Sequence, residues 1–175
     1  MNSKFKYDYE RMSGQKYRFG IKHVVNMLMR HHIRYMFWWR SYERKPTKWK
    51  RYILFRYSKK YGIEISPTAH IGEGIYLGHP YNITVGGGAV IGKHVNLHKG
   101  CTIGRDNRGK REGIPKIGDF VWVGINATIV GNITIGNDVM ICPNSFVNFD
   151  VPDHSIVLGN PGVVHQKSNA TEGYL

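Results

Sequence analysis

From Ile65 onward an aliphatic residue recurs every six positions. Ile65, Ile71, Leu77 and Ile83 form a first run, and a two-residue slip resets the phase to Val85, Ile91, Leu97 and Ile103. Eight extra residues intervene before the period resumes at Ile117, Val123, Ile129, Ile135, Ile141 and Val147. A helix would need a spacing of 3.6 and an isolated strand a spacing of 2.0. Six fits a parallel β-helix whose coil has three short faces, each carrying one inward aliphatic residue. Gly or Asn, which tolerate unusual φ, fall after many of these positions, as at Gly72, Gly92, Gly118 and Asn144. Fourteen positions make between four and five coils, a prism about 20 Å tall at ~4.8 Å per coil. A mainly β prism is thus predicted over residues 62–165, with residues 104–116 extruded and 166–175 a tail.

Before the repeat the spacing turns helical. Ile21, Val24, Val25, Leu28, Tyr35, Met36 and Trp39 recur on one side, with Lys22, Asn26, Arg30 and Arg34 opposite. Pro46 suits the start of a further helix carrying Trp49, Tyr52, Ile53 and Tyr57. Two or three helices are predicted over residues 1–61. The stretch from Ile21 to Trp39 is broken by charged and His residues, so it does not span a membrane.

Charge sharpens this division. The 175 residues hold 25 Lys+Arg against 12 Asp+Glu, a net +13. Up to Tyr61 the count is 17 against 3; from Gly62 it is 8 against 9. The charge belongs to the helical front, which suits an anionic membrane surface or a solvated basic face. No recognised nucleic-acid module accompanies it, so nucleic acid is not an expected partner. Apolar residues at 41% exclude a disordered chain. Two cysteines are too few for a disulfide scaffold, and the first twenty residues carry no export signal. A cytoplasmic protein is expected, at most peripheral at the inner membrane face.

Three segments carry a family resemblance. They are Ile63 to Pro67 with Gly74 to His79, Ala89 to Gly92 with Cys101 to Gly104, and Pro115 to Gly118 with Val123-Gly124, closing at Gly159 to Gly162. Over roughly residues 62–164 the chain resembles the left-handed β-helix acyltransferases with hexapeptide repeats. Within them it is most similar to the serine acetyltransferase branch and its relatives that acetylate sugars and capsular polysaccharides. The resemblance implies a trimer that uses acetyl-CoA, with no metal. It implies His79 as general base, since a neutral imidazole can take the proton of an attacking hydroxyl. Glu64 matches the carboxylate that orients that His, where serine acetyltransferases carry Asp. Trp122, Gly124, Asn126, Ala127, Asn160, Pro161 and Gly162 match the coenzyme A edge, with Gly104 and Lys116 at the ends of the extruded loop. Arg105 and Arg108 in that loop suit phosphates, and His98 is a second candidate base beside the acceptor.

Two departures bear on the acceptor. Serine acetyltransferases carry Asp directly before the catalytic His, and a His before Pro-Lys-Ile; this chain has Gly78 and Ile114. A site lacking partners for an ammonium loses discrimination for a free amino acid. The expected acceptor is therefore a sugar hydroxyl of a surface glycan or its precursor, with serine as the alternative. A non-catalytic or metal-binding prism docking to membrane is the reading from another class. His94 and His98 fall on different phases of the repeat, and Cys101 and Cys142 read as small apolar fillers.

Overall fold

A computed structural model describes residues 3–175. Four helices precede the prism: α1 (Ser3–Ser13), α2 (Ile21–Met29), α3 (His31–Arg44) and α4 (Lys48–Tyr61). The first coil holds β1 (Glu64–Ile65), β2 (His70–Ile71) and β3 (Tyr76–Gly78), and the second β4 (Thr84–Val85), β5 (Val90–Ile91) and β6 (Asn96–His98). The third holds β7 (Thr102–Gly104), β8 (Lys116–Ile117) and β9 (Val121–Val123), and the fourth β10 (Thr128–Val130), β11 (Thr134–Ile135) and β12 (Val139–Ile141). β13 (Phe146–Val147), β14 (Ser155–Leu158) and β15 (Val163–Gln166) close it.

Every third strand stacks up to β13, and β14 and β15 close the last sheet, giving three sheets: β1-β4-β7-β10-β13, β2-β5-β8-β11 and β3-β6-β9-β12-β14-β15. All pairings are parallel except the β14–β15 hairpin. The result is a parallel β-solenoid of about five turns. All fourteen hexapeptide positions are buried, none more than 4% exposed. In register, Ile65, Val85, Ile103, Ile129 and Val147 form one column of the core. Leu77, Leu97, Val123, Ile141 and Val157 form another. Burying each such side chain contributes about 1.5–3 kcal/mol.

The phase slip has a structural meaning. Thr84 pairs with Glu64, twenty positions earlier, whereas Thr102 pairs with Thr84, eighteen positions earlier. The corner between β3 and β4 is thus two residues longer than the one between β6 and β7. Ile83 lies in that corner, and its carbonyl accepts the Glu64 N–H. Val85 takes the strand position instead.

The helical front differs from the sequence expectation in two ways. α1 had no apolar period strong enough to read, because its inward face mixes Phe5, Tyr9 and Met12 with a buried Asp8. The stretch from Ile21 to Trp39 is two helices, broken at Arg30, whose backbone is extended. Arg34 donates to the terminal carbonyls of Met27 and Leu28, and Arg30 to Met12, so the break is hydrogen-bonded. Beyond the break the apolar face changes direction. Ile33, Tyr35, Met36 and Trp39 pack into the shared core, while Ile21, Val24, Val25 and Leu28 face solvent. α4 is capped by Thr47, whose side chain accepts the Lys50 N–H, and ends at left-handed Gly62. No described helix is long and apolar enough to cross a membrane.

Candidate active site

The lengthened corner carries His79. Its backbone is left-handed, at φ 48°, and its side chain is exposed. Helices hold this turn from the N-terminal side. The Pro80 carbonyl accepts from Nε2 of His31 at 3.2 Å; a carbonyl can only accept, so that nitrogen carries the proton. His31 stacks on Tyr61 with ring centroids 4.0 Å apart, and both touch Tyr81. The Asn82 N–H donates to the Tyr61 carbonyl, so the end of α4 stacks on the turn as an extra coil would. Sequence reading missed this clamp, because residues 31, 61 and 81 meet only in three dimensions.

Glu64 stands on the outer face of β1 in the coil end next to this turn. Its carboxylate accepts from Oγ of Ser58 at 2.9 Å, and no hydrogen bond joins it to His79. It lines a cleft of about 440 Å³ between α4 and the first sheet, with Tyr35, Arg51, Phe55 and Gly86.

His98 lies one coil on, paired with Gly78 in the β3–β6 ladder. Its Nδ1 lies 3.0 Å from the Val123 carbonyl, so Nδ1 bears the proton and Nε2 a lone pair. Burial lowers its pKa, with the Val123 bond opposing and His79 adding to the effect. The ring is therefore neutral at pH 7. It sits 4.6 Å from the Trp122 ring and 6.3 Å from that of Tyr76. This placement explains Gly78: a Cβ there would lie 2.4 Å from Cδ2 of His98. The small residue before His79 and the imidazole one coil away are two halves of one arrangement.

Below His98 the same edge continues through Trp122, Gly124 and Asn126 to the Gly159–Gly162 turn. Asn126 is exposed and left-handed, at φ 57°. Ala127, in the corner between β9 and β10, is fully buried: its side chain meets the core, its N–H donates to the Gly124 carbonyl and its own carbonyl accepts the Thr102 N–H. Gly162 donates to the Phe146 carbonyl, fixing the turn that contains Asn160 and Pro161 against the last coil.

The extruded loop lies elsewhere. Gly104 ends β7 in the first sheet and Lys116 begins β8 in the second, so the loop leaves from the next edge of the prism. It folds back as a small hairpin closed by the Asp106–Gly113 pairing and an Arg105–Glu112 ion pair at 4.0 Å. The Asn132 N–H donates to the Arg111 carbonyl, and Ile114 packs beside Gly86 and Gly88. Arg108 is exposed at the tip. One chain thus gathers His79, Gly78, His98, Trp122, Gly124, Asn126 and residues 159–162 on one edge. It leaves Gly104, Arg105, Arg108 and Lys116 on another.

The remaining candidates take structural parts. Cys101 lies in the corner column, where burial pushes its thiol up to about 12; burial also raises that of Cys142. Both stay protonated at neutral pH and are poor nucleophiles. His94 stacks on Phe120 at 5.1 Å, and among the described residues no three His, Cys, Asp or Glu side chains converge.

Comparison with known proteins matches these features. Residues 114–148 match the family model described as bacterial transferase hexapeptide, six repeats. Over 106 residues, 61% of this chain, the sequence is 44% identical to serine acetyltransferase 2 of Arabidopsis thaliana. That region is 33% of the relative's own length, so the chain spans a third of it. Soybean serine acetyltransferase, in a structure complexed with serine, superposes with a TM-score of 0.79 at 27% identity, covering 93% of this chain and 68% of that one. A structure of a serine acetyltransferase in complex with CoA gives 0.75 at 25% identity, with the same coverage. In repeat, solenoid and relatives this chain is similar to the hexapeptide-repeat, left-handed β-helix acyltransferases.

Proposed function

We propose that this chain transfers the acetyl group of acetyl-CoA directly to an acceptor hydroxyl, with His79 as general base. The observation that carries this is the shared edge: an exposed imidazole on a clamped, lengthened turn, in line with the residues that match the coenzyme A region. The acceptor oxygen bonds to the thioester carbonyl carbon while its proton passes to the His79 imidazole. The carbon–sulfur bond then breaks, and the coenzyme A thiolate takes the proton. Trp122, Gly124, Asn126 and residues 159–162 would lie along the thioester's pantetheine arm, and backbone N–H groups of the edge would hold the developing oxyanion. For Glu64 to orient His79 it would have to exchange its bond to Ser58.

The loop's basic residues stand on a different edge from His79, so a complete site needs a second copy whose loop edge faces this His79 edge. This supports a cyclic homo-oligomer, a trimer for a three-sided prism.

The comparisons support serine as acceptor better than the glycan sugar expected from the sequence. One observation favours the sugar: Gly78 is crowded by His98, and Ile114 is packed on the core side of its loop. Neither position offers an ammonium a polar partner. An acceptor screen, serine against free sugars and nucleotide sugars, decides. His79→Ala should lower kcat by about 10²–10⁴-fold with acetyl-CoA binding kept. Full activity in that variant would refute the assignment.

A further inference from the structure

We propose that the cleft between α3 and α4 binds a phosphate or diphosphate group. The cleft, about 200 Å³, is lined by Arg34, Arg56, Tyr57, Lys60 and Tyr61. Three cations and two phenols face it, and none of the three cations has a carboxylate within ion-pair distance among the described residues. Like charges gathered without an acid repel one another, and an anion relieves that repulsion.

The donors are arranged for such an anion. The Tyr57 hydroxyl already accepts from Nε of Arg34 at 3.0 Å, so its own proton is free to donate. Arg34 spends Nη1 on the Met27 and Leu28 carbonyls and keeps Nη2 for a ligand. Its guanidinium is thereby locked, which lowers the entropy cost of capture. Lys60 lies over the Tyr61 ring at 5.2 Å. The helix dipole accounts for a Lys in the last turn of α4, but not for Arg34 converging from another helix. The cations' field also reaches the catalytic turn, since burial and then Arg34 and Lys60 lower the pKa of His31, against its bond to Pro80.

Position assigns the role. Tyr61 stacks on the His79 turn on the side opposite His98 and the cofactor residues. A thioester laid along the later coils would reach His79 from one side, and a ligand anchored at this cleft would reach it from the other. The cleft is below the roughly 300 Å³ at which whole small-molecule sites begin. It therefore takes the anionic end group and leaves the rest of the molecule to extend toward His79. A glycosyl phosphate or diphosphate has this chemistry, whether soluble or carried on a lipid. The binding claim stands apart from the transferase reading; only the ligand's part as acceptor rests on it.

The test is binding to the full chain, by calorimetry, of inorganic pyrophosphate, UDP and acetyl-CoA, and flotation with vesicles containing a lipid phosphate. The wild type should bind pyrophosphate saturably, and Lys60→Glu and Arg56→Glu should each weaken it at least tenfold. Acetyl-CoA binding should be unchanged in both, and Lys167→Glu should leave pyrophosphate binding unchanged. Competition of UDP for the Lys60-dependent site assigns a soluble diphosphate; Lys60-dependent flotation without UDP competition assigns a lipid phosphate. No saturable pyrophosphate binding, or equal binding by Lys60→Glu, overturns the proposal. If acetyl-CoA still bound in that case, the transferase reading would stand without it.

Discussion

The pairing of Gly78 with His98 makes a measurable claim. A Cβ at position 78 would sit 2.4 Å from Cδ2 and 2.6 Å from Nε2 of His98, so Gly78→Ala must displace the ring. The ring cannot swing without breaking its Nδ1–H bond to the Val123 carbonyl and leaving its contact with Trp122. The bond contributes about 0.5–1.5 kcal/mol net, and the ring contact a similar amount. Gly78→Ala should therefore destabilise by about 1–3 kcal/mol, a fall in Tm of roughly 3–10 °C for a chain of this size. In a His98→Ala background the obstacle is gone. Gly78 has an ordinary backbone φ, so the same substitution should then be neutral or stabilise by about 0.4–1 kcal/mol, through the unfolded chain. A double-mutant cycle from urea titrations reads a coupling of about 1–3 kcal/mol. The reasoning fails if Gly78→Ala alone costs nothing, or if its cost persists without the imidazole.

Asp8→Asn leaves the buried Arg40 with only the partly exposed Glu43 as countercharge, and should cost about 3–5 kcal/mol in chemical denaturation. Gly62→Ala adds a Cβ 2.2 Å from Oδ1 of Asn82 at a left-handed position, and should lower Tm by several degrees. Asp138 loses some stability to burial, but bonds from His154, Thr171 and Ala170 hold its carboxyl down at about 2. Its folded pKa lies below its unfolded value, so its contribution is full above pH ~4 and is lost as pH falls toward 2. Because Tyr174 packs on Trp122 beyond that anchor, Trp122 fluorescence should report release of the C-terminal tail in that window.

The prism was legible because its signal is one-dimensional. A coil spends a fixed number of residues per face, so burial repeats in the sequence, and all fourteen positions are inside. The two-residue slip was visible too, though only the ladder shows that it lengthens the corner bearing His79. What escaped reading depends on register. Gly78 and His98 are twenty positions apart and touch because β3 stacks on β6. α1 escaped because Asp8 interrupts its apolar face, and Asp8 is buried only because Arg40 meets it from another helix. Within one chain the loop sits on the edge next to that of His79, a placement only the sheet order reveals.

The basic front divides once its contacts are known. A solenoid exposes an unpaired edge at its first coil, with carbonyls and N–H groups that have no ladder partner. The helices satisfy that edge with side chains rather than with another strand. Lys4 and Arg40 donate to the Ile71 carbonyl, Arg40 also to Gly72, and Arg11 to Gly74. Asp8 accepts from the N–H groups of Gly74 and Ile75, and the Tyr35 hydroxyl accepts from that of Ile65. Exposed carbonyls call for donors, and cationic donors make the stronger bonds, about 1.5–3 kcal/mol each. Part of the positive charge is thus a structural cap that keeps the prism from pairing end to end with other strands. Arg34, Arg56 and Lys60 make no such contact with the prism: they collect beside the turn that carries His79. Arg34 also secures the α2–α3 break, yet none of the three has a carboxylate partner among the described residues, which is the reason to look for one among ligands.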